Sequence, residues 1–316
     1  MDSTLVAGRD IQDFLNRIAG LDSGGGGARA KQILRRVVGD LFATIDAFDI
    51  SEDEFWATLN FLAEAAPELG LWAAGLGFER FLDMRMDLAD QNAGVASGTP
   101  RAIEGPLYVA GAPLSSGYAR LDDGAQAGER LVMHGHVRDI NGAPIAGAIV
   151  DVWHANGLGN YSFFDKSQSA YNLRRRIETD SRGHYRFLTI PPSGYSVPAG
   201  GTTDRLLKAV GRHGARPAHI HFFVSAPGHA HLTTQVNIAG DPFVHDDFAY
   251  ATRDELIATA VRGDGGATLD IEGLNSPFLE IIFDFVLGGA QGDREQVSSR
   301  ARVAASSVED AGGDRL

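Results

Sequence analysis

The hydrophobic pattern changes period about a third of the way along the chain. In RDIQDFLNRIAGL the apolar residues Ile11, Phe14, Leu15, Ile18 and Leu21 recur at helical spacing, and AKQILRRVVGDLFATIDAF sets Ile33, Leu34, Val37, Val38, Leu41 and Ile45 on one side. The glycines of DSGGGGARA break the chain between these two helices. Ser51 and Glu54 form a capping-box pattern ahead of a third helix, FWATLNFLAEAA. Three such helices cannot bury all their apolar surface as a short isolated layer. The pattern therefore predicts that they pack on the rest of the chain, on a second subunit, or on both.

From about residue 104 the period shortens to two. RLVMHGHVRDINGAPIAGAIVDVWHAN reads as two strand-like runs around NGAP, and TDSRGHYRFLTIPPSGY places turn residues before another alternating run. ARPAHIHFFVSAPGHAHLTTQVNIAG reads as a hairpin around APG, and IIFDFVL as one late strand. Repeated short strands joined by Gly/Pro turns predict a mainly β protein, an antiparallel β-sandwich or barrel, rather than a parallel α/β sheet. The expected division is an N-terminal helical region over 1–103, a β-sandwich domain over 104–290 and a polar tail over 291–316 that ends disordered.

Composition narrows the chemistry. The chain has 316 residues, 44% hydrophobic and 22% charged, as in ordinary globular proteins, and no apolar run approaches the roughly 20 residues of a bilayer span. The first residues, MDSTLVAGRDIQDF, are acidic where a signal peptide is basic, so the expected location is cytoplasmic. A net charge of −13 argues against a nucleic-acid partner, and the basic run NLRRR reads as strand or loop paired with carboxylates. Zero Cys excludes disulfides, thiolate metal sites and a Cys nucleophile; any metal must be held by oxygen and imidazole.

Three His-x-His pairs compete for that role: His134/His136, His219/His221 and His229/His231. On a strand, such a pair puts both imidazoles on one face. His219 and His221 sit in AHIHFFVSA, a strongly strand-forming run, where buried imidazoles need partners and a metal satisfies two at once. His229 and His231 follow a turn, where a polar loop residue is the plain expectation. His134 and His136 alternate with Leu131, Met133 and Val137 and so lie opposite the apolar face, near solvent. Two tyrosines, Tyr161 in NGLGNYSFFD and Tyr195 in IPPSGYSVP, follow Gly-containing turns from which a loop residue can point at a sheet end. Each also fits an ordinary core or surface Tyr. The residue pattern leaves the choice open.

GPLYVAGAP, VDVWHANGLGNYSFFD, PPSGY, GRHGARPAHIHFFVSAPGHAHLTTQ and GDPFVHDDFAYATRDELI together resemble the intradiol ring-cleaving dioxygenases, in order and spacing, from the first helix to about residue 285. The resemblance implies one ferric ion, Fe(III), per subunit, held by Tyr161, Tyr195, His219 and His221. Ferric iron is a hard cation, and it lowers the phenol pKa enough to bind tyrosinate at neutral pH. It also implies catechol and O2 as substrates and cis,cis-muconate as product, with Tyr195 released to take a catechol proton. Arg216 and Gln235 match family residues beside the substrate ring, where they would stabilise developing negative charge.

Leu71, Ala74, Ile103, Pro106, Leu107, Phe248 and Ala249 match positions lining the ring pocket of the family, although each also fits ordinary core. Mostly apolar lining favours catechol over hydroxyquinol, whose third hydroxyl needs a polar partner. Ala74 stands where the family has proline, which leaves room for methyl- or chlorocatechols. Hydroxyquinol or chlorocatechol cleavage on the same scaffold is the alternative activity. A non-catalytic β-sandwich binding module and a zinc hydrolase are more distant ones. By resemblance the helices of the first region form a homodimer interface that encloses phospholipid.

Overall fold

In the computed structural model the described residues are 5–124, 128–162, 164–263 and 277–290. The expected tail at 291–316 lies outside them. The chain divides into two compact units between Ala66 and Pro67.

The first unit holds the three expected helices: α1 (Arg9–Ile18), α2 (Ala28–Ala47) and α3 (Glu52–Ala65). Leu15 is the buried anchor of α1, which meets α2 through Phe14 and Phe42 (ring centroids 6.1 Å apart). Arg35 of α2 donates to the side-chain oxygens of Gln12 and Asn16, each at 2.7 Å. The capping box forms: Ser51 Oγ accepts from the Glu54 backbone N–H, and the Glu54 carboxylate accepts from Ser51 N–H at 2.9 Å.

The second unit opens with helices that the periodicity did not single out, α4 (Leu69–Gly75) and α5 (Phe78–Asn92), joined through Gly77 in the left-handed region (φ 77°). Two layers of sheet follow. One sheet orders β1 (Leu114–Ser116), β5 (Arg174–Glu178), β4 (Ile149–His154), β9 (His219–Ser225), β10 (Leu232–Ile238) and β11 (Ile257–Ala258) as β1-β5-β4-β9-β10-β11. The other orders β12 (Val261–Gly263), β13 (Phe278–Ile282), β3 (Leu131–Asp139), β6 (His184–Thr189) and β2 (Tyr118–Arg120) as β12-β13-β3-β6-β2, with β14 (Phe285–Leu287) also on β3. A short ribbon pairs β7 (Tyr195–Ser196) with β8 (Ala215–Arg216), and α6 (Thr202–Ala209) lies between them in sequence.

Val150, Val152, Ile177, Ile220, Phe222, Val224 and Val236 from the first sheet meet Leu131, Met133, Val137, Tyr185, Phe187, Ile281 and Phe285 from the second in one buried cluster. Each fully buried side chain of this size stabilises by roughly 1.5–3 kcal/mol. The NGAP segment carries the chain from β3 in one sheet to β4 in the other, and the APG segment closes the β9–β10 hairpin.

The long central pairs are antiparallel, as the alternation predicts, but β1–β5, β2–β6, β10–β11, β13–β3 and β14–β3 are parallel. The strands that join in parallel are two to five residues long and lie far from their partners in sequence, so they leave little period-two signature. IIFDFVL is two strands, not one. Its interruption at Phe283–Asp284 lies against Gly135, where a Cβ would overlap the Phe283 carbonyl, and the Asp284 carboxylate takes the His136 N–H at 2.7 Å in place of a ladder bond.

NLRRR forms strand as expected; Asp151 is an electrostatic neighbour of Arg176 and Arg174, but among the described residues the three guanidinium groups hydrogen-bond to uncharged oxygens rather than to a carboxylate. Arg174 donates to Ser162 Oγ, Arg175 to the carbonyls of Tyr171 and Arg174, and Arg176 to the Ala112 carbonyl. No helix among the described residues is long and apolar enough to cross a membrane.

Candidate active site

The outer face of the first sheet carries the chemistry. Register places Arg174, Trp153, His221 and Gln235 directly opposite one another across β5, β4, β9 and β10. The next rung holds His219 opposite Asn237, and the rung on the other side holds Arg176, Asp151, Phe223 and Thr233. Neighbours in an antiparallel pair share a face, so this row opposes the Ile220/Phe222/Val224 face that builds the sandwich core. Loops cover it, and both faces of β9 are buried: His219 and His221 are each 1% exposed.

Two Gly-containing turns bring the tyrosines to this face. The Asn156 side chain accepts from the N–H groups of Leu158 and Asn160, both at 2.9 Å, and so folds NGLGNY into an Asx-type turn that delivers Tyr161. Gly159 has φ 81°, and a Cβ there would lie 2.8 Å from Tyr195 Cβ. Only glycine lets the two loops approach this closely. Tyr195 opens β7 directly opposite Arg216 on β8. The rings of Tyr161 and Tyr195 meet edge to face, 5.6 Å between centroids.

Three of the donor atoms converge. His219 Nε2 lies 3.0 Å from His221 Nε2 and 3.5 Å from the Tyr161 hydroxyl oxygen, and the Tyr195 ring stands 5.6 Å from the His219 ring. His219 Nδ1 is 2.6 Å from the Pro217 carbonyl, an acceptor, so Nδ1 carries the proton and Nε2 presents its lone pair. Burial, reinforced by the Arg216 charge, pushes the His219 imidazole down to about 3; burial and then His219 hold His221 well below the usual range. Both rings are therefore neutral ligand-type bases. Burial, then the neighbouring Tyr195, raises the Tyr161 phenol well above its ordinary value.

A network abuts the donors. Arg216, 4% exposed, donates from Nη1 to His219 Nε2 (3.1 Å), from Nη2 to Gln235 Oε1 (2.8 Å), and from Nε and Nη2 to the two oxygens of Asp247 (both 3.1 Å). Burial opposes that charge, but Asp247 outweighs it and Arg216 is held protonated. Gln235 passes its amide N–H to Asn237 Oδ1 at 3.0 Å.

The residues expected to line a pocket fall into two groups. Leu71, Ala74, Ile103, Phe248 and Ala249 share one apolar cluster with Val197, Leu207 and Ala251. Leu107 packs instead with Trp153, Ala155, Tyr161 and Phe223, beside Tyr195, and Pro106 lies against Gly70. A cavity of about 780 Å³ lies elsewhere, between the end of α5, residues 95–101 and residues 286–290. Of the other His pairs, His134 and His136 lie on the outer side of the second sheet beside Glu280 and Asp284. His229 is half-buried, with Nδ1 3.0 Å from the Pro227 carbonyl, while His231 is drawn against Phe223 (5.1 Å) rather than left as a surface loop residue.

Sequence reasoning missed Asp247, Asn237, Trp153 and Arg174. Alternation in VDVWHAN already put Asp151 and Trp153 on one face, but nothing local indicated that this face is the site. Trp153 lies flat on His221, with centroids 5.0 Å apart and planes 4° apart.

The donor set fits a hard trivalent cation. Among the described residues no group of three or more His, Cys, Asp or Glu side chains could hold a metal, so the side-chain oxygens at hand for a cation at the two Nε2 atoms are those of the phenols. His221 Nδ1 is buried without a partner, and a cation on Nε2 would orient that ring and leave Nδ1–H as a donor. A bonded cation also offsets the burial that disfavours the Tyr161 phenolate.

A family model described as "Dioxygenase" matches residues 103–289, and one described as "Catechol dioxygenase N terminus" matches residues 27–94. The chain belongs to the intradiol ring-cleaving dioxygenase family and is an oxidoreductase of the dioxygenase class. Within the family it is similar to the catechol 1,2-dioxygenase of Pseudomonas sp. (strain EST1001), 53% identical over 88% of this chain and 93% of that one. It is also similar to catechol 1,2-dioxygenase 2 of Acinetobacter lwoffii, 63% identical over 75% and 86%. The solved structure of catechol 1,2-dioxygenase from Pseudomonas arvilla C-1 matches with a TM-score of 0.88 at 50% identity, over 94% of this chain and 97% of that one.

Proposed function

We propose that this chain cleaves catechol between its two hydroxylated carbons, adding both atoms of O2 to give cis,cis-muconate. The observation that carries the reading is the sealed convergence of His219 Nε2, His221 Nε2 and the Tyr161 hydroxyl, with the Tyr195 ring against them and the Arg216–Gln235 pair alongside. Fe(III) would be held by Tyr161, Tyr195, His219 and His221; when bound it supplies Lewis acidity and an acceptor for electron density from the substrate oxygens.

The chain's own residues do the rest. Tyr195, at the edge of the site on a two-residue strand, would accept a catechol proton as a phenolate no longer holding the cation, and so become the neutral phenol. Arg216, locked by Asp247, and Gln235, locked by Asn237, present fixed N–H dipoles and charge to negative charge that develops on the ring and the added oxygens. The cluster of Leu71, Ala74, Ile103, Phe248 and Ala249 provides a water-poor wall for a flat aromatic ring.

The test is the visible spectrum of the purified protein before and after anaerobic addition of catechol. A broad tyrosinate-to-Fe(III) charge-transfer band that moves to longer wavelength supports metal, phenolate ligands and substrate binding together. A protein that stays colourless after reconstitution with iron sinks the reading. Ala74 leaves the wall one side chain thinner than a proline would, so 4-methylcatechol is expected to be turned over at a rate comparable to catechol; near-absence of that turnover removes the roomier-pocket reading.

In the first unit Val37, Leu41 and Trp56 are each at least half exposed, which supports a second copy of the chain as their cover. A homodimer through these helices, with phospholipid between them, follows from that reading; lipid in an organic extract of the purified protein would support it.

A further inference from the structure

Two guanidinium groups are sealed beside the candidate ligands, and among the described residues only one forms an ion pair with a carboxylate. Arg216 is neutralised by Asp247. Arg174 is 1% exposed, and among the described residues no carboxylate forms an ion pair with it. Its Nε–H donates to Ser162 Oγ at 3.0 Å, the residue directly after Tyr161, and its Cζ lies 5.9 Å from the centre of the Tyr161 ring. Both terminal nitrogens, Nη1 and Nη2, are buried without an acceptor. Strand register fixes the group further, because Arg174 stands opposite Trp153, which stands opposite and stacks on His221.

A buried cation without an ion-paired carboxylate is destabilising, and a hydrophobic residue of the same volume would pack at no such cost. Asp151, one rung along, takes the Tyr108 hydroxyl at 2.8 Å and stands opposite Arg176, so it does not serve as a dedicated partner. The strongest electrostatic neighbour of Arg174 is Tyr161, ahead of Asp151, so a phenolate on the ring that the guanidinium overlies would supply the larger part of the balancing charge.

We propose that Arg174 is a positioning residue: its fixed charge is the counter-ion of the Tyr161 phenolate and limits how strongly that oxygen donates to the metal. The proposal rests on the reading of Tyr161 as a ligand. A positive charge beside a phenolate lowers the energy of its electrons, so removing the charge makes the oxygen a stronger donor and brings its charge-transfer transition to longer wavelength.

The experiment compares the iron-loaded full chain with its Arg174→Gln and Arg174→Lys variants by visible absorption, iron content and rate of iron loss to a chelator. The expected result is a band at longer wavelength and iron loss no faster than the parent's in Arg174→Gln, with Arg174→Lys, which keeps the charge, close to the parent in band position. A band at the same position in all three proteins overturns the proposal and leaves Arg174 a packing residue. Equal shifts in both variants overturn it too, because the charge would not be the cause. Where Arg174→Gln does not accumulate, the apolar Arg174→Met replaces it in the same comparison. Where neither accumulates, Ser162→Ala frees Nε and is expected to move the band in the same direction by less; no movement overturns the proposal. A parent protein with iron bound but no tyrosinate band refutes the ligand reading itself, which separates that failure from a failure of Arg174.

Discussion

Asp247 holds the most consequential carboxylate outside the candidate ligands. It binds Arg216 at two points and accepts the Ala249 N–H at 3.0 Å, and it is itself 6% exposed. Asp247→Asn keeps the shape and removes the charge. Steady-state kinetics is expected to show kcat/KM down by about a hundredfold, through a misplaced Arg216, with iron content unchanged. Urea denaturation is expected to show a loss of roughly 3 kcal/mol, as for one broken buried pair. Asp83 shows the opposite case. It is 7% exposed, one carboxylate oxygen lacks a partner, and burial, with Asp87 nearby, lifts its carboxyl to about 6. A folded-state value above the unfolded one near 4 means that the native form holds its proton more tightly. Stability is therefore lost as pH rises from about 4 to about 6, at up to about 1.4 kcal/mol per unit before solvent screening. Asp83→Asn is expected to match the parent in thermal stability at pH 4 and to exceed it at pH 7; equal melting temperatures at both values would contradict the assignment. His219 and His221 were legible as a pair from alternation alone. Asp247 was not, because its partner lies 31 residues away in sequence and no local pattern records that contact.

Elements matter here chiefly through their ends. Gly75, the last residue of α4, and Phe248 on a loop more than 170 residues later are joined by Arg212, whose Nη1 donates to the Gly75 carbonyl (2.8 Å) and Nη2 to the Phe248 carbonyl (2.9 Å). The guanidinium also lies 4.7 Å from the centre of the Tyr250 ring, and Tyr250 occupies the left-handed region at φ 55°. Arg212 thus ties together two sides of the apolar cluster that contains Ala74 and Phe248. Arg212→Ala is expected to raise KM for catechol by about tenfold with kcat little changed, the signature of lost ground-state binding; a large fall in kcat with KM intact would place Arg212 in the chemistry instead. The expected antiparallel strands appear where both partners are long enough to alternate. The parallel edge strands did not stand out, since β1, β2 and β14 span only three residues each and β11 two. The helices α4 and α5 likewise escaped notice. In FERFLDMRMDLADQN the large apolar side chains Phe81, Leu82, Met84, Met86 and Leu88 are all about half exposed, so no single apolar stripe marks the helix.

For the molecule as a whole, the proposed dimer is tested by light scattering at micromolar concentration, where twice the chain mass is expected and the monomer mass would overturn it. Period and residue type settled much before any coordinates: helices then strands, a mainly β fold rather than a parallel α/β layer, and imidazole with oxygen as the metal donors available to a chain without Cys. These follow from local steric and chemical rules, since alternation along one strand decides which side chains share a face. Register between strands and the entry of covering loops are long-range matters. They set His219 Nε2 3.0 Å from His221 Nε2, brought Tyr161 and Tyr195 to the same face from separate loops, matched Arg216 with Asp247 and left Arg174 without an ion-paired carboxylate among the described residues. No stretch of the chain carries that information alone, because each of these contacts joins segments whose proximity depends on the free energy of the whole packed core.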